Sequence, residues 1–511
     1  MSLVFLLSVV MIACKGKNII DEEDITIHSE DTTIVATDTI CITWNGSSAT
    51  IEGSHDGVTI TEQNGTVNVI STVKDLAYLL SGEGTGCLRI EGTNRHQLIL
   101  SDLTLTCSDG PAINNQCHKK CYVRLCGANS LTDGSSYASS TEDRKAAFFS
   151  EGQMIFSGNG SLTAKSNYKH ALASDDYILF AQSTGSLNLT AASDGIHAND
   201  GIYFDGGTFT INAGSEGIQC DTSEIVINNG SINVTAAGDK GMSAYGNITI
   251  NGGTVRISSE YKCIKAGKKE NNRIVSAGNI TITGGDIQVI CNGKRINSGG
   301  PGGGSSSTTK NSPEAIEAKG TITISGGYIY AQSADDAINS AGDMTVSGGC
   351  ICAYSTGNDG LDANGNLYIK GGLIYAISAT DPEVALDADE RHKLYIQGGT
   401  IVALGKLERG ASLEQSCYQN STWNATTWYS ITIGDETFAF KTPEKPSSSG
   451  GGPGGGSRNT PLVVSGSSKP TVKSGVTVNG GTVIFKEMGR LNASVSGGSS
   501  VTLSTYSSNN W

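Results

Sequence analysis

The chain has 511 residues, 67 of them glycine and only 6% aromatic, with a formal charge of −14. That balance excludes the basic face that nucleic-acid binding needs and suits cations or a water-exposed surface. A single compact core would be strained at this length, whereas a solenoid has no such limit.

The first element is "MSLVFLLSVVMIAC", an apolar run ending in Ala13 and Cys14. It is too short to span a bilayer and has the character of a signal peptide. A cysteine at the cleavage point resembles a bacterial lipobox, so a lipoprotein signal is expected over 1–14, with lipidation at Cys14. No Lys or Arg precedes the run, and Met11 stands where Leu is usual. An ordinary signal peptide or a mis-set start is the alternative. "KGKNIIDEED" then reads as a tether over 15–24. Residues 25–112 are expected to form an N-terminal capping β region and the first coils. Within them, "VKDLAYLL" (73–80) is the one segment past the N-terminus with a readable helical period.

From 113 to 405 the chain repeats itself. "DGIHANDGIYFDGG", "KGMSAYGNITINGG", "EAIEAKGTITISGG", "DAINSAGDMTVSGG" and "DGLDANGNLYIKGG" all end in paired glycines. An apolar anchor (Ile196, Met242, Ile316, Ile338, Leu361) lies ten positions before the first glycine of each pair. Ile218 and Leu386 anchor looser copies, and Phe148 and Leu172 extend the series upstream. Anchors are 22 to 25 residues apart across Ile196–Ile218, Ile338–Leu361 and Leu361–Leu386. Each unit holds short strand-like pieces with period-two alternation, separated by Gly, Asn or Asp. So short a unit cannot bury its own apolar face, but stacked units can. The expected fold is all-β: a right-handed parallel β-helix of about 22–25 residues per coil, capped by β segments at both ends. Alternation puts Val255 and Ile257 inward and Arg256 outward. Ala198, Cys220, Ala244, Ala266, Ala318, Ser340, Ala363 and Ala388 form a small-residue ladder two positions after the anchors.

Glycine-rich stretches interrupt the pattern at 293–312 and 447–458 and read as loops. The second lies in a C-terminal β region, 406–511, expected to shield the open end. The cysteines after Cys14 read as small apolar core residues, with disulfides open to some of them outside the cytoplasm.

Stacking turns repeated acids into columns, because equivalent residues on neighbouring coils lie about 4.8 Å apart. One position after the anchor stand Glu317, Asn339, Asp362 and Asp387; two before it stand Glu314, Asp336 and Asp359. Upstream, Asp194 and Glu216 occupy that second position, with Asp200 and Asp221 close by. Two carboxylates so spaced repel by roughly 0.9 kcal/mol in water and about 3.5 kcal/mol at an effective dielectric of 20. A hard cation resolves this, and Ca2+ takes six to eight such oxygens. With only 7 histidines, softer metals are less expected. The alternative is a solvated acidic edge whose Asp and Asn only make turns.

"SNYKHALASDDYILF", "SDGIHANDGIYFDGGTFTINAG", "SEGIQCD" and "GPAINN" resemble the bacterial carbohydrate-binding β-helix family, over about residues 25–405. The resemblance implies a right-handed parallel β-helix with bound Ca2+, of the kind found in pectate-type lyases, and binding of cellulose or acidic sugars. The acid of "DGI" becomes Glu216, then Lys240 and Lys262. Metal sites are therefore expected in two patches, Asp194/Asp200/Glu216/Asp221 and Asp336/Asp359/Asp362/Asp387.

Parity points Tyr328, Tyr330, Tyr354 and Tyr375 outward as a flat strip for sugar rings, unless the C-terminal segment covers them. Lys169, Lys262 and Lys265 are candidate contacts for an anionic sugar, or the base of a uronate lyase. The expectation is a calcium-containing, non-catalytic polysaccharide binder: a monomer, lipid-anchored at the bacterial cell envelope, outer membrane or cell surface. A calcium-dependent lyase acting by β-elimination and a structural or adhesive scaffold are the alternatives.

Overall fold

One coil of the protein lays down Ile316–Ala318, Ile322–Ile324 and Tyr328–Ser333, and the next begins at Ile338–Ser340. Each strand pairs in parallel with its equivalent one coil on. Ile316 meets Ile338, Ile338 meets Leu361 and Leu361 meets Leu386. Three parallel ladders result, one per face, and they make a parallel β-solenoid of about 13 turns. We call the face carrying the anchors the first face; the second and third follow in chain order.

The computed structural model describes residues 32–236, 238–271, 273–294, 312–379, 382–445 and 460–509. The expected signal segment, Cys14, the tether and most of both glycine-rich loops lie outside the described residues. Among the described residues every extended element is a strand and there is no α-helix. "VKDLAYLL" is not helical: Leu76–Thr85 is a strand pairing with Asp38–Gly46 and His96–Thr106. Leu76, Ala77 and Tyr78 are all fully buried, so the apolar run reflects burial on both faces rather than a helical stripe.

The anchors stack into one core from Ile113 to Leu407, all buried. Each is worth roughly 1.5–3 kcal/mol in area removed from water. The small residues after them form the expected ladder, with Ala198 opposite Cys220 and Ala318 opposite Ser340. Val255 and Ile257 are buried, while Arg256 reaches Asp286 on the next coil at 2.5 Å.

The paired glycines do two different jobs. The second of each pair has a left-handed backbone, as at Gly372 (φ +86°). The first packs its backbone against the coil below: a Cβ on Gly371 would lie 2.5 Å from the Ser347 carbonyl oxygen.

Asp38–Gly46 folds back on Ser48–Glu52 to close the N-terminal end. Cys87 and Cys107 form a disulfide, and most other described cysteines are buried, as core residues would be. At the other end Leu462–Ser465 runs antiparallel to Thr400–Leu404 and closes the third face. A six-stranded antiparallel sheet, including Trp428–Ile433, Glu436–Lys441 and Thr471–Asn479, packs against that face through Phe438, Phe440 and Tyr429.

Candidate functional site

The first face carries the chemistry. The position after each anchor points outward, and its register reads Lys265, Glu317, Asn339, Asp362, Asp387 on five successive coils. The first four of these, Lys265 to Asp362, border one polar cleft of about 740 Å³, lysine-rich at one end and carboxylate-rich at the other, and Asp387 stands one coil beyond it.

At the lysine end Lys262 is buried and surrounded. Its Nζ donates to Glu314, to the Ser312 carbonyl at 3.0 Å and, at 3.1 Å, to Glu317. An ammonium has three N–H donors, so all are engaged. Burial pulls its pKa down to about 8, against the attraction of Glu317. Burial raises Glu317, but Lys262 and Lys319 outweigh it and hold the carboxyl below its ordinary range. One Glu317 oxygen, Oε2, is buried without a hydrogen-bond partner. Lys265 is half-buried and makes no ion pair among the described residues.

At the acidic end the two columns differ in what their oxygens do. The aspartates two positions before the anchor staple coils together. Asp336 Oδ1 accepts the Asp359 N–H at 3.1 Å, and Asp359 Oδ1 accepts the Val384 N–H at 2.5 Å. Asp362 and Asp387, after the anchor, are half-buried and stand in register. Burial, then repulsion from Asp336 and Asp387, pushes Asp362 up to about 9. Asp359 rises to about 8 through burial, and Glu408 likewise to about 8 through burial and then Asp387. Here the fold brings carboxylates together, and their mutual repulsion adds to burial in raising Asp359 and Asp362. Glu314, Asp335 and Asp336 also place oxygens within 4.8 Å of one another. An all-oxygen donor set of this kind suits Ca2+.

The upstream patch does not form as expected. Glu216 is taken by Lys240 at 2.6 Å, and exposed Asp200 accepts from Thr222 Oγ1 at 2.9 Å. The lysine that replaces an acid on the next coil removes Glu216, and the corner turns Asp200 away. Asp194 instead lies between two histidines, His170 at 3.1 Å and His197 at 3.0 Å, and Asp221 meets the far side of the His197 ring at 3.4 Å. Burial would lower His197, but Asp194 and Asp221 raise it to about 9; burial keeps His170 below its ordinary value. Sequence reasoning passed over both histidines because the chain has few. The signal was there, since "KHA" and "GIHA" set them on adjacent coils of one face.

The tyrosine strip is also corrected. Tyr330 (4% exposed) and Tyr375 (0%) are buried beneath the C-terminal sheet, and Tyr354 is half-buried beside them. They point outward from the solenoid, as parity requires, into an apolar interface that the antiparallel sheet covers. Only Tyr328 remains exposed, at 46%, on the rim of a second cleft of about 560 Å³ with Val483 and Lys486. Nor do registered tyrosines make a flat strip where the face is open. Tyr368 and Tyr395 stack face to face, centroids 4.9 Å apart, so they present edges and hydroxyls. Tyr375 Oη donates to the Lys441 carbonyl at 2.9 Å. Tyr375→Phe is accordingly expected to cost about 1 kcal/mol in unfolding experiments and to leave glycan retention unchanged. Lys169 is exposed and sits over Tyr168, away from Lys262 and Lys265 on later coils.

A rigid β-solenoid bearing one long charged groove is a scaffold for binding an extended ligand. The chain belongs to the family of carbohydrate-binding domain-containing proteins, whose model matches residues 58–360. A solved structure titled polysaccharide lyase-like protein from C. thermocellum, a gadolinium derivative, is similar at 19% identity. The likeness covers 50% of this chain and 92% of that one, with a TM-score of 0.37. No curated protein matches the chain.

Proposed function

We propose that the protein binds acidic polysaccharide along the first-face groove and does not cleave it. The observation that carries this is the placement in one cleft of Glu317, Asp336 and Asp362 with a set of lysines, the acids continuing in register to Asp387 on the next coil, on a chain of a carbohydrate-binding family. Ca2+ held by Asp362 and Asp387, with Asp336 and Asp359 behind them, would present positive charge to uronate carboxylates. Lys265 would meet a further carboxylate at the other end. The engagement of Lys262 supports the binding reading, because a base needs a lone pair facing substrate and all three of its donors are turned into the protein. β-Elimination keeps two observations in its favour: Lys262 is lowered to about 8, and Lys265, which lines the cleft without an ion pair among the described residues, is also lowered by burial.

The test is retention of the full chain on polygalacturonate and on cellulose, in Ca2+ and in chelator, with absorbance of unsaturated product followed in parallel. Calcium-dependent retention on polygalacturonate without product is expected. Lys265→Gln should weaken it severalfold and leave folding intact. Retention on cellulose alone would move the binding surface off this groove, and product formation would make the protein a lyase. The proposal includes a lipid anchor at Cys14 and a place in the cell envelope, supported by the apolar run before that cysteine. Cys14→Ser should release the protein from the membrane fraction.

A further inference from the structure

The histidine cluster upstream of the groove has a donor set unlike that of the acidic column. His170 lies on His170–Ser174, and His197 lies on the next coil, on Ile196–Ala198. Their rings stack with centroids 4.4 Å apart and planes 25° from parallel. Both Nδ1 atoms approach the same oxygen, Asp194 Oδ2, at 3.1 and 3.0 Å. Each of the three residues offers one ligand atom within 4.8 Å of the other two. The other carboxylate oxygen is already used: Ser193 Oγ donates to Asp194 Oδ1 at 3.2 Å and the Glu216 N–H donates to it at 3.1 Å.

His170 Nδ1 lies 3.1 Å from Asp194 Oδ2 and 3.3 Å from the Asp194 backbone nitrogen, so the ring is held edge-on to the carboxylate. Gln219, in register with His197 on the following coil, is 5% exposed; its Nε2 donates to Asp221 at 2.9 Å, and its Oε1 has no hydrogen-bond donor among the described residues.

We propose that His170, Asp194 and His197 hold a transition-metal dication of the zinc class, at a site separate from the carbohydrate groove. A tetrahedral ion with bonds near 2.0–2.1 Å keeps its ligand atoms roughly 3.3 Å apart, close to the observed spacing. Two imidazole nitrogens and one carboxylate oxygen suit such an ion, whereas Ca2+ asks for six to eight oxygens. Asp221, at 3.4 Å from His197 Nε2, fixes the far side of that ring, as carboxylates do behind metal-bound histidines. The fourth position falls to water or to Gln219 Oε1. Bound there, the ion joins adjacent coils and stabilises the solenoid.

The test uses tag-free full-length protein, stripped with chelator and titrated with Zn2+ by calorimetry and with Co2+ by visible absorption. One equivalent of Zn2+, a tetrahedral Co2+ spectrum and a zinc-dependent rise in melting temperature are expected. Asp362→Asn should leave all three unchanged, which separates this site from the acidic column. His170→Gln and His197→Gln should abolish binding. Asp221 is not itself a ligand but holds His197, so Asp221→Asn should leave the ligand set in place and weaken affinity by about 10- to 100-fold. Absence of stoichiometric Zn2+ and Co2+ binding by the unmodified protein overturns the proposal. So does binding that survives both histidine substitutions, or binding that Ca2+ displaces at equal concentration.

Discussion

Replacing Asp362 with asparagine is expected to stabilise the calcium-free protein at alkaline pH and to remove most of the stabilisation that calcium brings. Asp362 is held at about 9, and Asp359 and Glu408 at about 8, where ordinary carboxyls ionise near 4. Below pH 4 these groups are neutral in both folded and unfolded chains and cost nothing. As pH rises, the unfolded chain ionises freely and the folded one resists. Stability is therefore lost progressively up to about pH 9. Each pH unit of displacement amounts to about 1.4 kcal/mol, so even half of that seen at Asp362 is worth a few kcal/mol. Other groups titrate in the same window. His197, raised to about 9, also contributes stability that is lost as pH rises. Lys262, lowered to about 8, works in the opposite sense, because the cost of its buried charge is relieved at high pH. The informative quantity is therefore the difference between the unmodified protein and Asp362→Asn, measured as melting temperature from pH 5 to 9 in chelator and in Ca2+. The gap should widen with pH in chelator and close in Ca2+. A variant less stable than the parent at pH 9 in chelator would show that the column is not under electrostatic strain, and the cation reading would fall with it.

The solenoid was legible because its physics is written locally. Anchors such as Ile316, Ile338 and Leu361 recur with the glycine pairs, and parallel stacking puts identical positions side by side. The small-residue ladder and the outward column of Glu317, Asn339, Asp362 and Asp387 follow from that register alone. What parity does not carry is which outward side chains a distant segment covers. Tyr330 and Tyr375 meet Phe438 and Phe440 more than sixty residues further along the chain, and no local pattern announces that contact. The same limit applied to the acids before the anchor. Sequence shows Asp336 and Asp359 as a column, but only the structure shows their oxygens spent on backbone N–H groups of the next coil. Asp194 belongs with them, and its second oxygen turned out to face imidazoles rather than carboxylates. Periodicity thus located the face that carries the chemistry, while the partner of each oxygen depended on side-chain direction between coils.

The glycine pairs supply the sharpest test of that stacking logic. In "NDGLDANGNLYIKGG" the two terminal glycines are expected to respond differently to alanine. Gly372 has φ +86°, where an L-residue pays about 1–2 kcal/mol, and its Cβ would also lie 2.8 Å from the Gly349 carbonyl oxygen. Gly371 has no such backbone demand, but its Cβ would lie closer still, 2.5 Å from the Ser347 carbonyl oxygen of the coil below. That oxygen belongs to backbone fixed in register on both sides, so it cannot move away as a flexible side chain would. Gly371→Ala is therefore expected to cost about 3 kcal/mol or more through overpacking alone, whereas Gly372→Ala combines a milder overlap with backbone strain. Because each coil touches only its neighbours, the damage concentrates at one interface. Unfolding followed by far-ultraviolet dichroism should pass from one transition to two, with the coils before Gly371 melting apart from those after it. Gly372→Ala should lower stability while keeping a single transition. Equal small effects from both substitutions would mean that adjacent coils slide to make room, and that the close backbone stacking is not what selects the first glycine of each pair.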